Sequence, residues 1–229
     1  MLTDQKIKKP KSLTLLALEK IRAGITNGDY PLGSPLYEKA LAEQFGISKT
    51  PVREALVQLQ RENLVVVQPH SGTFVFELAD KEVTELCELR LILESNALQL
   101  AMRRQAGRLL VELHDIVEGM CVAIRDKESD EYRRLDARFH AAFFKHCGNA
   151  YLAGAYSMID AKLQTLRVSL IAPIPSLLDV SLDEHLRIAK ALKDSEIEVG
   201  LKVLSEHIKR ARELMRGLRE VEPVTVEEM

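Results

Sequence analysis

Only one stretch of this 229-residue chain has the residue pattern of a sheet. In "NLVVVQPHSGTFVFE", Val65 to Gln68 and Thr73 to Phe76 read as two strands, and Pro69-His70-Ser71-Gly72 supplies the turn between them. Beyond Glu77 no strand signal recurs. The fold must therefore be mainly helical, with a single hairpin in its first half. Composition agrees. Leu, Ala, Glu, Lys and Arg dominate, aromatics make up 5%, and Trp is absent.

The residues before the hairpin narrow the choice. "YEKALAEQFG" predicts a short helix with Leu41 and Phe45 inward and Gly46 as its C′ residue. "SKTPVREAL" predicts another, although a proline and two β-branched residues crowd its start. Pro51 fits if that helix has only just begun. With Ser48 or Thr50 as the cap, it lies in the first turn, where N–H groups lack intrahelical partners anyway. Val52, Leu56 and Leu59 form the apolar stripe, while Lys49, Thr50 and Arg53 occupy the opposite, leading side. Joined by "GIS", the two helices make a helix-turn-helix. An earlier amphipathic helix, about 12–26, ends near Asn27-Gly28. Three helices plus a hairpin form a winged helix-turn-helix. The cationic row then sits at the amino end of a helix slim enough for the major groove. In isolation Lys49 and Arg53 would be ordinary solvated charges; the cap and the wing favour a reading face.

Charge is distributed accordingly. The chain carries a net −2, yet residues 1–78 hold 10 Lys+Arg against 8 Asp+Glu, whereas residues 79–229 hold 22 against 26. Only the amino-terminal third offers a basic face. Cys87, Cys121 and Cys147 are odd in number and lack C-x-x-C spacing, which points to thiols in a reducing compartment rather than disulfides or a thiolate zinc site. The apolar "LTLLAL" ends at Glu19 and Lys20 with no small-residue cleavage site, and no run approaches the roughly 18 apolar residues of a membrane span. A cytoplasmic protein is expected.

From Ile25 to Leu64 the chain resembles the GntR family of bacterial transcription regulators, through "I-x-x-G-x-Y-P-x-G-S-x-L-x-E-x-x-L-A-x-x-F-G-I-S-x-T-P-V-R-E-A-L-x-x-L-x-x-E-x-L". The resemblance implies that Lys39, Ser48, Lys49, Thr50 and Arg53 contact DNA, and that the tip from His70 to Gly72 enters the minor groove. Three positions depart from the family pattern. Lys49 stands where arginine is usual and lacks the planar fork that grips guanine. Ser71 occupies a place often basic, and Asn63 replaces a glycine but tolerates the left-handed conformation a helix exit wants.

Helices follow the hairpin at about 80–104, 108–126, 129–147, 150–171, 182–193 and 196–218, with breaks at Gly107, Gly148-Asn149, Pro173/Pro175 and Asp194. "SLDE" (Ser181 to Glu184) and "SEIE" (Ser195 to Glu198) predict capped starts for the last two. The expected organisation is a DNA-binding winged helix-turn-helix over 1–78 and an all-helical bundle over 79–229 for metal or effector binding and dimerisation. In such a bundle, polar residues on apolar stripes are the informative ones. Asp136 and His140 are i,i+4 neighbours on "EYRRLDARFHAAFFKHC"; His185 lies on the stripe Leu182–His185–Ala189–Leu192, and His207 on Val203–His207–Ala211–Leu214. One such histidine is ordinarily a satisfied core residue. Three on three inward faces, with a carboxylate one turn from the first, predict a divalent metal centre, Zn²⁺ first and Ni²⁺ or Mn²⁺ as alternatives. His70, His114 and His146 lack this setting. Arg90, with Glu94 at i+4, is either one half of a partly buried ion pair or a guanidinium aimed into the cavity to clasp a carboxylate; Arg167 is a second candidate of that kind.

From Asp80 to Leu218 the chain resembles the FCD effector domain of the FadR-like GntR regulators, "D-A-R-F-H" matching its D-x-x-F-H element. The resemblance implies that Asp136, His140, His185 and His207 are ligands and that a small organic acid completes the shell. The expected function is a homodimeric, metabolite-responsive transcription regulator reading a palindromic operator, repression being the commoner mode among GntR relatives. The rival is a helical metalloenzyme, a hydrolase with an accessory winged helix, suggested by His114-Asp115. That pair wants another histidine upstream in the same domain, and only His70 on the wing precedes it. No histidine has Glu three residues before it, which removes a di-iron E-x-x-H bundle, and no general base stands out. The chain is read as no enzyme.

Overall fold

The computed structural model describes residues 12–171 and 176–217. The chain divides into two compact units, Met1–Glu77 and Leu78–Met229.

In the first unit α1 (Leu13–Asn27) starts at Ser12, whose side chain accepts from Leu15 N at 3.2 Å, and ends at Gly28 with φ 85°. It packs on α3 (Lys49–Arg61), burying Leu18, Ile21 and Ile25 against Val52, Leu56 and Leu59. Between them α2 (Glu38–Phe45) buries Leu41 and stops at Gly46, whose φ of 66° lets its N–H turn back to Ala42 and Glu43. Pro51 is the third residue of α3, where a missing N–H costs no helical bond. Ser48 holds the N-cap place without a side-chain bond. Asn63, at φ 56°, swings the chain out of α3 into β1 (Val65–Gln68), which pairs antiparallel with β2 (Gly72–Val75). The second strand thus begins one residue earlier than its composition suggests, because Gln68 pairs with Gly72 and Ser71 N closes the turn on Gln68 O at 3.1 Å. The chain around Pro35 runs along the other edge of β2, bonding Leu36 N to Thr73 O and Val75 N to Ser34 O.

The second unit is wholly helical among its described residues. The two helices expected over 80–104 and 108–126 are present as the two arms of a kinked span, α4 (Asp80–Arg125). It bends at Gln105 (φ −143°, ψ 37°), not at Gly107, which stays helical. The bend is held from outside. Arg104 Nη1 donates to Cys147 O and Gly148 O at 2.8 Å each, and Gln105 meets His146 Nδ1 at 3.3 Å. Next come α5 (Ser129–His146) and α6 (Ala150–Leu166), the latter capped by Asn149 accepting from Tyr151 N and Leu152 N. A wider π turn, Arg167–Ile171, extends α6. The expected break at Pro173/Pro175 lies outside the described residues.

Two capping expectations are corrected. Helix α7 (Ser176–Lys193) begins a turn and a half before "SLDE", so Ser181 is no cap; it is a buried residue inside the helix. In "SEIE", Ser195 has φ 63°, and its N–H and that of Glu196 return to Leu192 O and Ala191 O. Ser195 therefore terminates α7 in a left-handed turn, and α8 (Ile197–Gly217) starts beyond it. Among the described residues no helix is long and apolar enough to cross a membrane.

Candidate metal centre and nucleic-acid interface

Lys39, Ser48, Lys49, Thr50 and Arg53 are all exposed on the first unit, as are His70 and Gly72 at the hairpin tip, with φ 63° and 119°. Lys39 lies 3.9 Å from Glu43. Arg53 is already engaged: Nε donates to Glu38 Oε1 at 2.9 Å and Nη2 to Oε2 at 2.7 Å. These bonds, and Lys49 nearby, hold the Glu38 carboxyl below its ordinary range. Glu38 and Arg53 sit on different helices, 15 residues apart, so no periodicity within either helix links them.

In the second unit the inward stripes converge. Asp136 and His140 project from α5, His185 from α7 and His207 from α8, and one potential ligand atom of each lies within 4.8 Å of the others. All four are buried. His140 Nε2 and His185 Nε2 are 3.4 Å apart, and Asp136 Oδ1 is 4.0 and 3.5 Å from them. The outer nitrogens are committed elsewhere. His140 Nδ1 meets Glu94 Oε2 at 2.7 Å, His207 Nδ1 meets Glu184 Oε2 at 2.6 Å, and His185 Nδ1 faces the Tyr132 hydroxyl at 3.5 Å. A carboxylate accepts, so it places the hydrogen on Nδ1 and leaves the Nε2 lone pair facing inward.

Electrostatics favour the same state. Burial, reinforced by Arg90, holds His140 well below 6.5, and burial with His207 pushes His185 down to about 3. Both imidazoles are neutral at physiological pH. Burial alone would raise Asp136, but the Arg167 guanidinium opposes it and the carboxyl stays below its ordinary range and ionised. The His140 Nε2 lone pair, His185 Nε2 and an anionic Asp136 oxygen thus converge at 3.4–4.0 Å, and Arg90 Nη2 is the donor that meets His140 Nε2. The three-nitrogen, one-oxygen set fits a divalent cation.

Arg90 is wholly buried, bonds Glu94 Oε1 through Nε at 2.6 Å, and points Nη2 at His140 Nε2, 3.0 Å away. Arg167, carried by the π turn, donates Nη1 to Asp136 Oδ2 at 2.6 Å. Both guanidinium groups, with Asp136, His207 and Arg210, line a cavity of about 40 Å³. Arg90 Nη1, Tyr156 Oη, Arg167 Nη2 and Asp160 Oδ1 are buried without a hydrogen bond among the described residues, the last two facing each other as an ion pair at 4.0 Å.

The other histidines stand apart. His70 and His114 are exposed; His146 is buried between α4 and α5, bonded to Glu112 at 2.7 Å. Sequence reasoning did not find the carboxylates behind the rings. Glu94 reads as the partner of Arg90, and Glu184 as part of a capping box. The signal present was that each falls on an inward stripe, where an unpaired carboxylate is costly.

Comparison with known proteins gives a consistent result. The family model for the FCD domain matches residues 85–210, and that for bacterial regulatory proteins of the gntR family matches residues 14–75. The gluconate operon transcriptional repressor of Bacillus licheniformis is 27% identical over 192 residues, covering 82% of this chain and 79% of that protein. The HTH-type transcriptional repressor RspR of Escherichia coli is 25% identical over 197 residues, 82% of each chain. Among solved structures, E. coli McbR/YncC superposes with a TM-score of 0.79 at 25% identity, covering 92% of this chain and all of that one.

Proposed function

Because the chain belongs to the GntR family of bacterial regulators and carries an FCD domain, it is a DNA-binding transcription regulator and not an enzyme; we propose that it is a homodimeric repressor whose operator affinity is set by a small carboxylate bound beside a divalent metal. Residues 1–78 bind the operator and residues 79–229 sense the effector and dimerise. Lys49, Thr50 and Arg53 read the major groove from α3, with Ser48 and Lys39 on the flanking phosphates and the His70–Gly72 tip in the minor groove. Two readers on a dimer take the two halves of a palindrome.

The observation that carries the effector reading is the buried N–H group without a partner among the described residues, Arg90 Nη1, on a guanidinium that lines the cavity beside the histidines together with Arg167. A guanidinium left with a free donor in the interior wants an anion, and a carboxylate matches its planar fork. The space of about 40 Å³ takes one carboxylate head or one to two waters. Asp136, His140, His185 and His207 would hold the cation, Zn²⁺ or else Ni²⁺ or Mn²⁺, which supplies a Lewis-acidic point for a carboxylate oxygen. His140 Nε2 has one lone pair and cannot serve Arg90 and a cation together. Loading the site therefore releases Arg90 Nη2 and adds a second donor for the acid. Effector binding then shifts the dimer between forms of different operator affinity.

The test uses an operator recovered by the protein from a randomised duplex library, with a panel of small carboxylates. A carboxylate should change operator affinity in the metal-loaded protein only, and Arg90→Ala or Arg167→Ala should weaken the response. An equal response after chelation would overturn the reading.

A further inference from the structure

Arg53 and Glu38 pose a problem for the reading face. A residue meant to meet DNA is held by a carboxylate that DNA repels. The pair is exposed, Arg53 at 64% and Glu38 at 33%, so it contributes little to the fold. Its geometry is specific, however. Glu38 grips the guanidinium side-on, taking Nε–H and one hydrogen of Nη2. Nη1, with two hydrogens, and the second hydrogen of Nη2 have no partner among the described residues. One hydrogen of Nη1 and the free hydrogen of Nη2 form the end edge of the guanidinium, an edge that matches the O6 and N7 acceptors of guanine in the major groove. Glu38 is itself fixed, as the first residue of α2, where the helix terminus favours a carboxylate.

Charge leads to the same conclusion. A free arginine is drawn to any phosphate, and each phosphate contact strengthens binding to every sequence alike. Paired with Glu38, Arg53 belongs to a unit of little net charge, and what that unit offers are directional donors. We propose that Glu38 is a specificity-determining residue that turns Arg53 from a general phosphate contact into a reader of one guanine in each half-site. This rests on α3 being the DNA reader, and the experiment separates the two.

The full-length protein is titrated with the duplex it recovers from a randomised library, and with the same duplex carrying adenine at each guanine in turn. Adenine replaces the O6 acceptor with a donor. Wild type should show one guanine per half-site whose replacement weakens binding roughly tenfold or more. In Glu38→Gln that penalty should fall below about threefold, while affinity for random-sequence duplex rises and the salt dependence steepens by about one power per reader. Circular dichroism melting should be unchanged. Arg53→Ala should lose the penalty at the same guanine. If Arg53→Ala keeps it, α3 is misassigned as the reader. If Arg53→Ala loses it but Glu38→Gln keeps it, the reader stands and the role of Glu38 is overturned. A steeper salt slope with selectivity intact also overturns it, since Glu38 would then only temper phosphate attraction.

Discussion

Replacing Glu184 by glutamine keeps the size of the side chain and removes the charge that serves two partners. Glu184 accepts from His207 Nδ1 at 2.6 Å and from Arg210 Nε and Nη2 at 2.7 and 2.5 Å. Arg210 and His207 hold its carboxyl down to about 2 despite the opposing effect of burial. Two effects should appear, and they are separable. In the metal-free protein the ion pair with Arg210 is lost. A fully buried pair would cost 3–5 kcal/mol to break, but Arg210 is 25% exposed, so about 1–3 kcal/mol is expected. In the loaded protein His207 loses the acceptor that orients it, which weakens metal binding roughly 10- to 100-fold. At free metal 100 times the wild-type Kd, stabilisation should fall from about 2.7 to about 1.4 or 0.4 kcal/mol. For a unit of this size that turns a melting-temperature rise of roughly 5–11 °C into one below about 6 °C. Scanning calorimetry on chelated protein, repeated at fixed free Zn²⁺, measures both. A variant with a lowered metal-free melting point but the wild-type rise on adding Zn²⁺ would show that Glu184 supports the fold and not the metal site.

Chelation of the wild type should lower its melting temperature by the same roughly 5–11 °C, and Zn²⁺ or Ni²⁺ should restore it. His185→Ala and His207→Ala should abolish that response in calorimetry, whereas His114→Ala, on an exposed residue, should retain it. Lys49→Ala and Arg53→Ala should each cost roughly 1–3 kcal/mol of operator binding in fluorescence anisotropy without changing the melt; wild-type binding by both refutes the assignment. In the metal-free protein His185 is held at about 3 and His140 well below 6.5, so the unfolded chain binds more protons as pH falls from 6.5 toward 3. Stability should therefore drop on acidification through that window, by up to roughly 1.4 kcal/mol per pH unit for each histidine. Equal urea midpoints at pH 7 and pH 5 in the chelated protein would contradict this.

Features carried by neighbouring residues were legible in the sequence. Pro51 announced a helix start, Gly46 and Asn63 announced exits, and the run after Leu64 announced the hairpin, because each depends on dihedral preferences of a few adjacent residues. The 3.6-residue repeat likewise told which faces of α5, α7 and α8 are inward, and so which histidines could meet. Where a local signal failed, the residue had taken another place in the helices around it. Ser181 lies buried inside a helix that begins earlier, Ser195 closes one helix on Leu192 O and does not open the next, and the bend of α4 sits where Arg104 and His146 hold it. The partnerships around the candidate sites were decided only in three dimensions: Glu94 behind His140, Glu184 behind His207, Arg167 on Asp136, and Glu38 on Arg53. Each joins residues 15 to 46 positions apart on different helical segments. A helical repeat records how one segment faces its surroundings; it holds no record of which other segment will be there, and that follows from how the whole set of helices packs.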